Sequence, residues 1–147
     1  MKIAIGADHA GFAMKEAIKT RLQASGHAVE DFGIHSPAPA DYPDVAASVA
    51  KAVAGHDADR GILVCSTGIG MSIVANKIGG IRAALCDSEE VARLARSHND
   101  ANVLALSGNF TAMDRAQKIV DAFLETGFPG VERHVRRVAK IQQLTGL

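Results

Sequence analysis

The sequence predicts an α/β fold in which helices cover both faces of a five-stranded parallel sheet and a basic helix ends the chain. Short apolar segments rich in β-branched residues alternate with longer segments whose apolar residues recur at helical spacing. One helical segment separates each pair of successive strands, and parallel strands need a crossover of this kind. Because such crossovers are right-handed, helices are expected on both faces of the sheet.

The first half of the chain contains two predicted strands and two predicted helices. In order, these are a strand at Lys2–Ala7, a helix with Met14, Ala17, Ile18 and Leu22 on one stripe, a strand at His27–Phe32, and a helix at Asp44–Ala54. The loop at 33–43 holds three of the four prolines.

The second half continues the alternation. It predicts a strand at Ile62–Cys65, a helix at Met71–Ile78, a strand at Ile81–Cys86, a helix at Ser88–Ser97, a strand at Asn102–Leu106, a helix at Thr111–Thr126 and a basic helix from about Val131 to Leu144. The buried stripe of the helix at Thr111–Thr126 is expected to include Ala112, Ala116, Ile119, Val120 and Phe123.

Composition indicates one globular domain over 1–147, with 48% hydrophobic and 22% charged residues. The formal net charge of +0 gives no general attraction to nucleic acid or to acidic membranes. No apolar run approaches the roughly 18 residues of a membrane span, and no signal peptide precedes the first strand. Two cysteines without a C-x-x-C pair favour neither a disulfide scaffold nor a zinc site. We therefore expect a cytoplasmic protein without a metal.

The segment GILVCSTGIGMSIVANK, from Gly61 to Lys77, carries the main chemical signal. A buried strand ends at Cys65, a loop containing Gly68 and Gly70 follows, and a helix then begins. Backbone N–H groups in such a strand–loop–helix unit are a ready anion site. The positive potential of these N–H groups and of the helix N-terminus also favours the thiolate form of Cys65. The sequence thus places a potential base beside an anion cradle. A buried structural cysteine is the simpler alternative, and Cys86 is assigned to the core.

Other polar residues are candidates, each with a structural alternative. Arg133 and Arg137 are four residues apart and can meet one phosphate, although a solvated basic face has the same pattern. His98 and Asn99 can supply an acid–base group and a hydroxyl contact, or they can simply form a polar turn. His9 follows the first strand, where it can donate a hydrogen bond to a phosphate or cap the next helix. Tyr42 can anchor its loop or contact the substrate.

A dinucleotide site is the first rival for the glycine loop. Gly68 and Gly70 begin a fingerprint of that type and Asp87 follows the next strand, but Ile73 occupies the third small position. The motif also lies outside the first strand–helix unit, which disfavours a dinucleotide.

Several motifs together resemble one family. They are IGADHAG at 5–11, DYPD at 41–44, CSTGIGMSIVANK at 65–77, GIRAALC at 80–86, SHNDANVLAL at 97–106, and Arg133-His134 with Arg137. With these motifs the chain resembles the type B ribose-5-phosphate isomerases, in a wider group that includes the galactose-6-phosphate and allose-6-phosphate isomerases. The resemblance covers nearly the whole chain.

The resemblance implies a Rossmann-like three-layer fold and a cofactor-free aldose–ketose isomerase that works as a homodimer or homotetramer, with active sites at a subunit interface. It implies that Cys65 moves a proton between two sugar carbons, with support from Thr67, and that the amides from Ser66 through Ile69 to Gly70 stabilise a cis-enediolate. It further implies that His98 opens the sugar ring. The remaining implied contacts are Asp8 and Asn99 to hydroxyls, and His9, Arg133 and Arg137 to the phosphate.

Four positions depart from the family pattern. Ser66 replaces a usual glycine, Asn109 replaces a frequent arginine, and Met71 stands where a second branch of the family has a glutamate base. His134 follows Arg133, and in that second branch it is associated with ring opening, so His98 and His134 both stay open for this role. The sequence predicts isomerisation of ribose 5-phosphate. The alternatives are allose 6-phosphate or galactose 6-phosphate as substrate, or a non-catalytic phosphate- or nucleotide-binding module.

Overall fold

A computed structural model describes the whole chain, Met1–Leu147, as a three-layer α/β fold. In chain order the elements are β1 Lys2–Ala7, α1 Phe12–Ala24, β2 Ala28–Asp31, α2 Tyr42–Ala54, β3 Arg60–Cys65, α3 Ile69–Ala75, β4 Ala83–Leu85, α4 Glu89–Asn99, β5 Val103–Ser107, α5 Met113–Glu125 and α6 Glu132–Thr145. The predicted fold class and all eleven elements are confirmed.

The five strands form one parallel sheet in the order β2-β1-β3-β5-β4. In this order β3 lies between β1 and β5. Ala7 is level with Val64, and Cys65 is level with Ser107. The loops that follow β1, β3 and β5 are therefore neighbours at the carboxyl edge, where ligands bind in open α/β sheets.

Two apolar clusters cover the two faces of the sheet. One contains Ile62 and Val64 of β3 together with residues of α1, α4 and α5. The other contains Leu63 and Cys65 of β3 together with residues of α2 and α3. Successive side chains of a strand point to opposite faces, so the apolar run of β3 serves both clusters. Cys65 consequently faces α2 and α3.

Several element boundaries differ from the sequence prediction. Tyr42 begins α2 instead of lying in the preceding loop, because Pro43 is acceptable in the first turn of a helix. The helix α4 continues past Ser97 to Asn99, so His98 and Asn99 lie in its last turn. Ala112 precedes α5 and is exposed, which corrects its placement on the buried stripe. As an edge strand, β4 shortens to three residues.

A buried lysine fastens α1 to the end of β2. The side chain of Lys15 is fully buried, and its Nζ lies 2.9 Å from both carboxylate oxygens of Asp31. Lys19 binds the same carboxylate at 2.7 Å, and the N–H of Gly33 donates to it at 2.9 Å. Such a cluster is stable only when each buried charge has its partners.

No helix has both the length and the apolar character that a membrane-spanning segment requires.

The Lys15–Asp31 cluster gives a pH-dependent prediction. Burial raises the pKa of Asp31, but hydrogen bonds from Lys19, Lys15 and the N–H of Gly33 outweigh burial and hold this pKa below its ordinary value of 3.8. We expect Asp31→Asn to lower the free energy of unfolding by about 1–3 kcal/mol at pH 7. A carboxyl group whose pKa is lowered by folding stabilises the fold at pH values above its ordinary pKa. The difference in unfolding free energy between wild type and Asp31→Asn should therefore shrink as pH falls below 3.8.

Urea denaturation at pH 7, 5 and 3 measures this difference. The control is Glu30→Gln, which breaks the exposed pair with Lys2 and should change the free energy of unfolding by less than about 1 kcal/mol. A loss for Asp31→Asn that is the same at pH 3 and pH 7 contradicts the assignment.

Candidate active site

Cys65 is the last residue of β3 and lies at the carboxyl edge of the sheet. Its thiol is free, and the residue is only 5% exposed in the single chain. The side chain belongs to the face covered by α2 and α3. The thiol thus lies below the loop that follows, with little access to solvent.

The loop after Cys65 carries a run of unpaired backbone donors. Among the amides from Ser66 to Met71, only that of Ile69 has a partner in the chain, the Oγ1 of Thr67 at 3.2 Å. The helix α3 has seven residues and begins directly after this loop. Unpaired amides at a loop–helix junction can stabilise an anion or a developing oxyanion. The unpaired amides that the predicted anion cradle requires therefore lie next to Cys65.

Two glycines give this loop its shape. Gly68 has φ +78°, and a Cβ there would lie 2.5 Å from Cδ1 of Leu85 and 3.0 Å from the backbone of Leu106. A Cβ at Gly70 would lie 2.7 Å from the ring of Tyr42. The ring of Tyr42 therefore packs directly on the loop, so the structure brings this predicted contact residue to the site.

The turn after β1 packs beside the cysteine loop. The buried Asp8 accepts hydrogen bonds from the amides of Ala10 and Gly11 through Oδ1, at 3.0 and 3.1 Å. Its own N–H donates to the carbonyl of Val64 at 3.2 Å. His9 is exposed, and its Nδ1 accepts from the amide of Ala40 at 3.4 Å. Both predicted residues thus lie at the carboxyl edge with Cys65.

The turn after β5 completes this edge. The amide of Gly108 donates to the carbonyl of Cys65 at 2.8 Å, and the hydroxyl of Ser107 donates to the carbonyl of Ser66 at 2.8 Å. A Cβ at Gly108 would lie 2.7 Å from the carbonyl oxygen of Ala10. The sequence contains no signal for the contacts of Ser107, because they depend on the strand order.

The other predicted residues form a separate group at the start of α6 and the end of α4. The imidazole rings of His98 and His134 stack with centroids 4.2 Å apart. Burial, His98, Arg133 and Arg137 together hold the pKa of His134 below its ordinary value of 6.5. We call His98, Asn99, Arg133, His134 and Arg137 the basic cluster. The side chains of Arg133 and Arg137 are exposed and form no ion pair.

The basic cluster and Cys65 lie at opposite edges of the sheet. The helix α4 returns from the carboxyl edge, so its last turn is at the amino edge. Consistent with this, the carbonyl of Asn99 accepts from Nε of Arg82 at 3.1 Å, and Arg82 directly precedes β4. The five residues of β5 separate the two edges by roughly 13 Å. One chain therefore does not bring His98, Asn99, Arg133 and Arg137 to Cys65.

The cavities agree with this separation. None of the four cavities of the single chain is lined by Cys65. A cavity of about 520 Å³ lies between α6 and the amino side of the sheet, where its lining includes Asn99 and Val138. No group of three or more His, Cys, Asp or Glu side chains is arranged to hold a metal ion.

The fold and the carboxyl-edge residues place the chain among α/β proteins whose strand–loop–helix units can bind an anionic small molecule, in this chain beside a thiol. The thiol can act as a base, and the unpaired amides can stabilise negative charge that develops on the substrate.

The chain belongs to the ribose/galactose isomerase family, whose model matches residues 3–141. It is 47% identical over 140 residues to ribose-5-phosphate isomerase B of Escherichia coli, covering 95% of this chain and 93% of that protein. It is also 43% identical over 132 residues to the D-erythrulose-4-phosphate isomerase of Pectobacterium atrosepticum, covering 88% of this chain and 86% of that protein.

Solved structures agree with this assignment. The structure of ribose-5-phosphate isomerase B from Clostridium thermocellum matches with a TM-score of 0.97 and 47% identity, covering 99% of this chain and 98% of the other. The structure of ribose-5-phosphate isomerase B from Mycoplasma genitalium, with bound ribulose 5-phosphate, matches with a TM-score of 0.93 and 44% identity, covering 99% and 96% of the two chains.

The environment of Gly68 predicts a local loss of stability on substitution. Gly68 and Gly26 both have positive φ, at +78° and +86°, but a Cβ would have neighbours within 4 Å only at Gly68 and not at Gly26. Backbone strain should cost each Gly→Ala variant about 1–2 kcal/mol. We expect Gly68→Ala to lose a further 1–3 kcal/mol or so from overpacking against Leu85 and Leu106.

Urea denaturation of the two variants measures the difference. Gly26→Ala is the matched control, because it carries the strain without the contacts. Equal losses in both variants would mean that the loop has room for a side chain and that close packing does not set its shape.

Proposed function

We propose that this chain is an aldose–ketose isomerase that interconverts ribose 5-phosphate and ribulose 5-phosphate. The observation that carries this proposal is the run of unpaired amides beside Cys65. Family membership supports it, as does the bound ribulose 5-phosphate in the Mycoplasma genitalium relative. The reaction must stabilise an enediolate, and a base next to oriented N–H donors meets this demand.

In the proposed mechanism, the Cys65 thiolate removes the proton from C2 of the open-chain aldose. The electron pair of the C–H bond forms the C1–C2 double bond of a cis-enediolate, and negative charge develops on the former carbonyl oxygen. The amides of Ser66, Gly68 and Gly70 stabilise that oxygen, while Thr67 holds the loop through Ile69. Transfer of the hydroxyl proton from O2 to O1 and return of the thiol proton to C1 give the ketose.

The remaining roles concern the two ends of the sugar. Asp8 and Asn99 hold hydroxyls, and Tyr42 closes one side of the loop. His98 opens the furanose ring. His9, Arg133 and Arg137 bind the phosphate, because two guanidinium groups four residues apart on a helix can grip one anion. Phosphate binding then places C1 and C2 next to Cys65.

We infer that two chains complete each site. The carboxyl edge of one chain would face the basic cluster of a second chain, since one chain holds the two groups at opposite edges. Large apolar side chains are exposed on α3, on β4 and along α6: Ile69, Ile73, Leu85, Val135, Ile141 and Leu144. Pairing of two chains at these surfaces would remove apolar side chains from water. Two-fold symmetry would give a homodimer with two equal sites.

We place the enzyme in the cytoplasm. Both cysteines are free and unpaired, which fits a reducing compartment.

Deuterium exchange tests the chemistry. In deuterated water, the wild-type protein should incorporate deuterium at C2 of ribose 5-phosphate, because the proton on Cys65 exchanges with solvent before it returns. Cys65→Ala should lower kcat by at least about 10²-fold, the contribution of a positioned base. Mass spectrometry of the sugar and a coupled assay for ribulose 5-phosphate measure both effects.

Cys86→Ala is the matched control. Burial, with a smaller effect of Asp87, raises the pKa of the Cys86 thiol to about 11, so this thiol is expected to stay protonated near pH 7. This variant should retain exchange. Exchange that persists in Cys65→Ala would remove Cys65 from the mechanism, whereas binding without exchange in the wild type would indicate a phosphate-binding module. Comparing kcat/KM for four sugars shows which substrate the enzyme prefers. They are ribose 5-phosphate, erythrose 4-phosphate, allose 6-phosphate and galactose 6-phosphate.

Mixing two inactive variants tests the shared site. Cys65→Ala and His98→Asn each damage a different half. In a mixed dimer, one site carries both substitutions and the other carries neither. An equal mixture allowed to exchange subunits should recover about a quarter of wild-type activity, since half of the dimers are mixed and each has one intact site. Mixing Cys65→Ala with Cys65→Ser is the control and should recover nothing. No recovery in the first mixture, with subunit exchange shown by mass spectrometry, would place the whole site in one chain.

A further inference from the structure

A side-chain hydrogen bond joins the cysteine loop to the turn after β5. Nδ2 of Asn109 donates to Oγ of Ser66 at 2.8 Å. Both residues lie at the carboxyl edge, Ser66 directly after Cys65 and Asn109 two residues after Ser107. Asn109 is exposed and Ser66 is partly exposed, so this pair lies at the mouth of the site and not beneath it.

The backbones of the two segments are already fixed to each other. The amide of Asn109 donates to the carbonyl of Ser66 at 3.1 Å, and the amide of Gly108 donates to the carbonyl of Cys65 at 2.8 Å. The hydroxyl of Ser107 also donates to the carbonyl of Ser66 at 2.8 Å. The side-chain bond between Asn109 and Ser66 is therefore not needed to bring the segments together. Its remaining effect is on the orientation of the Ser66 hydroxyl.

The orientation of that hydroxyl has a chemical consequence. A serine hydroxyl has one proton to donate and two lone pairs that accept. Asn109 occupies a lone pair of Ser66, and no group of the chain accepts the hydroxyl proton. The proton is thus directed away from Asn109, in a loop where the amides of Ser66, Thr67 and Gly68 are also unpaired. The hydroxyl is thus a further free donor beside the unpaired amides.

We propose that Asn109 is a positioning residue that orients the Ser66 hydroxyl as a hydrogen-bond donor to a substrate oxygen during isomerisation. This inference rests on the proposed function and adds to it an uncharged donor, the Ser66 hydroxyl, whose direction of donation is set by Asn109. Because the donor is aimed at an oxygen that gains negative charge, its contribution is expected in kcat more than in KM.

Two substitutions at Asn109 separate orientation from mere contact. Asn109→Asp keeps the shape of the side chain but offers only acceptors, so the Ser66 proton turns toward the carboxylate and is lost to the substrate. Asn109→Ala leaves the hydroxyl free to rotate. We expect kcat to fall about tenfold or more in Asn109→Asp and roughly threefold in Asn109→Ala, below the 10²–10³-fold typical of a main oxyanion donor.

Both substitutions are repeated in a Ser66→Ala background. A new carboxylate near the substrate also lowers kcat through charge alone, and this part remains when Ser66 has no hydroxyl. We expect the effect of Asn109→Asp to be at least about fivefold smaller in the Ser66→Ala background, and the effect of Asn109→Ala to disappear there. Thermal unfolding of each variant shows whether the fold is retained. Equal effects in both backgrounds, or an unchanged kcat in Asn109→Asp, would overturn the proposal.

The Asn109 and Ser66 variants are compared on one substrate, chosen from ribose 5-phosphate, erythrose 4-phosphate, allose 6-phosphate and galactose 6-phosphate. The substrate used is the one that the wild type turns over with the highest kcat/KM. A wild-type protein inactive on ribose 5-phosphate but active on another sugar would overturn the proposed substrate and leave the test of Asn109 intact. A wild-type protein inactive on all four would overturn both proposals.

Discussion

The position of β3 between β1 and β5 is the constraint on which the site depends. Parallel pairing in this order brings three strand ends to one edge, with Cys65 level with Ser107 and Ala7 level with Val64. Hydrogen bonds continue past the ends of the strands, from the amides of Asp8 and Gly108 to carbonyls of β3. The loops around the thiol are therefore extensions of the sheet. Placement by rigid strands suits chemistry that needs donors held in position before the charge develops.

The loop after Cys65 leaves its amides unpaired because small residues hold it in a shape that exposes them. Gly68 provides a positive φ and a close approach to the backbone of Leu106, and Gly70 leaves room for the ring of Tyr42. Unpaired donors are costly when they are buried. Ser66, Thr67 and Gly70 are partly exposed in one chain, so water can reach this part of the loop until a substrate takes its place.

Much of the fold and one half of the site can be predicted from the sequence, because hydrophobic periodicity and the glycine loop are local signals. The strand order cannot be predicted in this way. The hydrogen bond between Ser66 and Asn109 depends on that order, because residues 43 positions apart meet only through the sheet. The sequence marks these two residues separately as departures from the family pattern, and the structure places them in contact. The stacking of His98 on His134 is beyond sequence reasoning for the same reason, although both residues are candidates for one role.

The separation of the basic cluster from Cys65 in one chain bears on how the proposed site would hold a charged substrate. A thiolate, an enediolate and a phosphate all carry negative charge, and electrostatic stabilisation is strongest where water is excluded. Alone, the chain has open amides at one edge and free guanidinium groups of Arg133 and Arg137 at the other. Pairing of the two edges between chains would surround an anionic substrate with amide and guanidinium donors and exclude water in the same step. On this view, assembly supplies the enclosure that a longer protein would obtain from a lid.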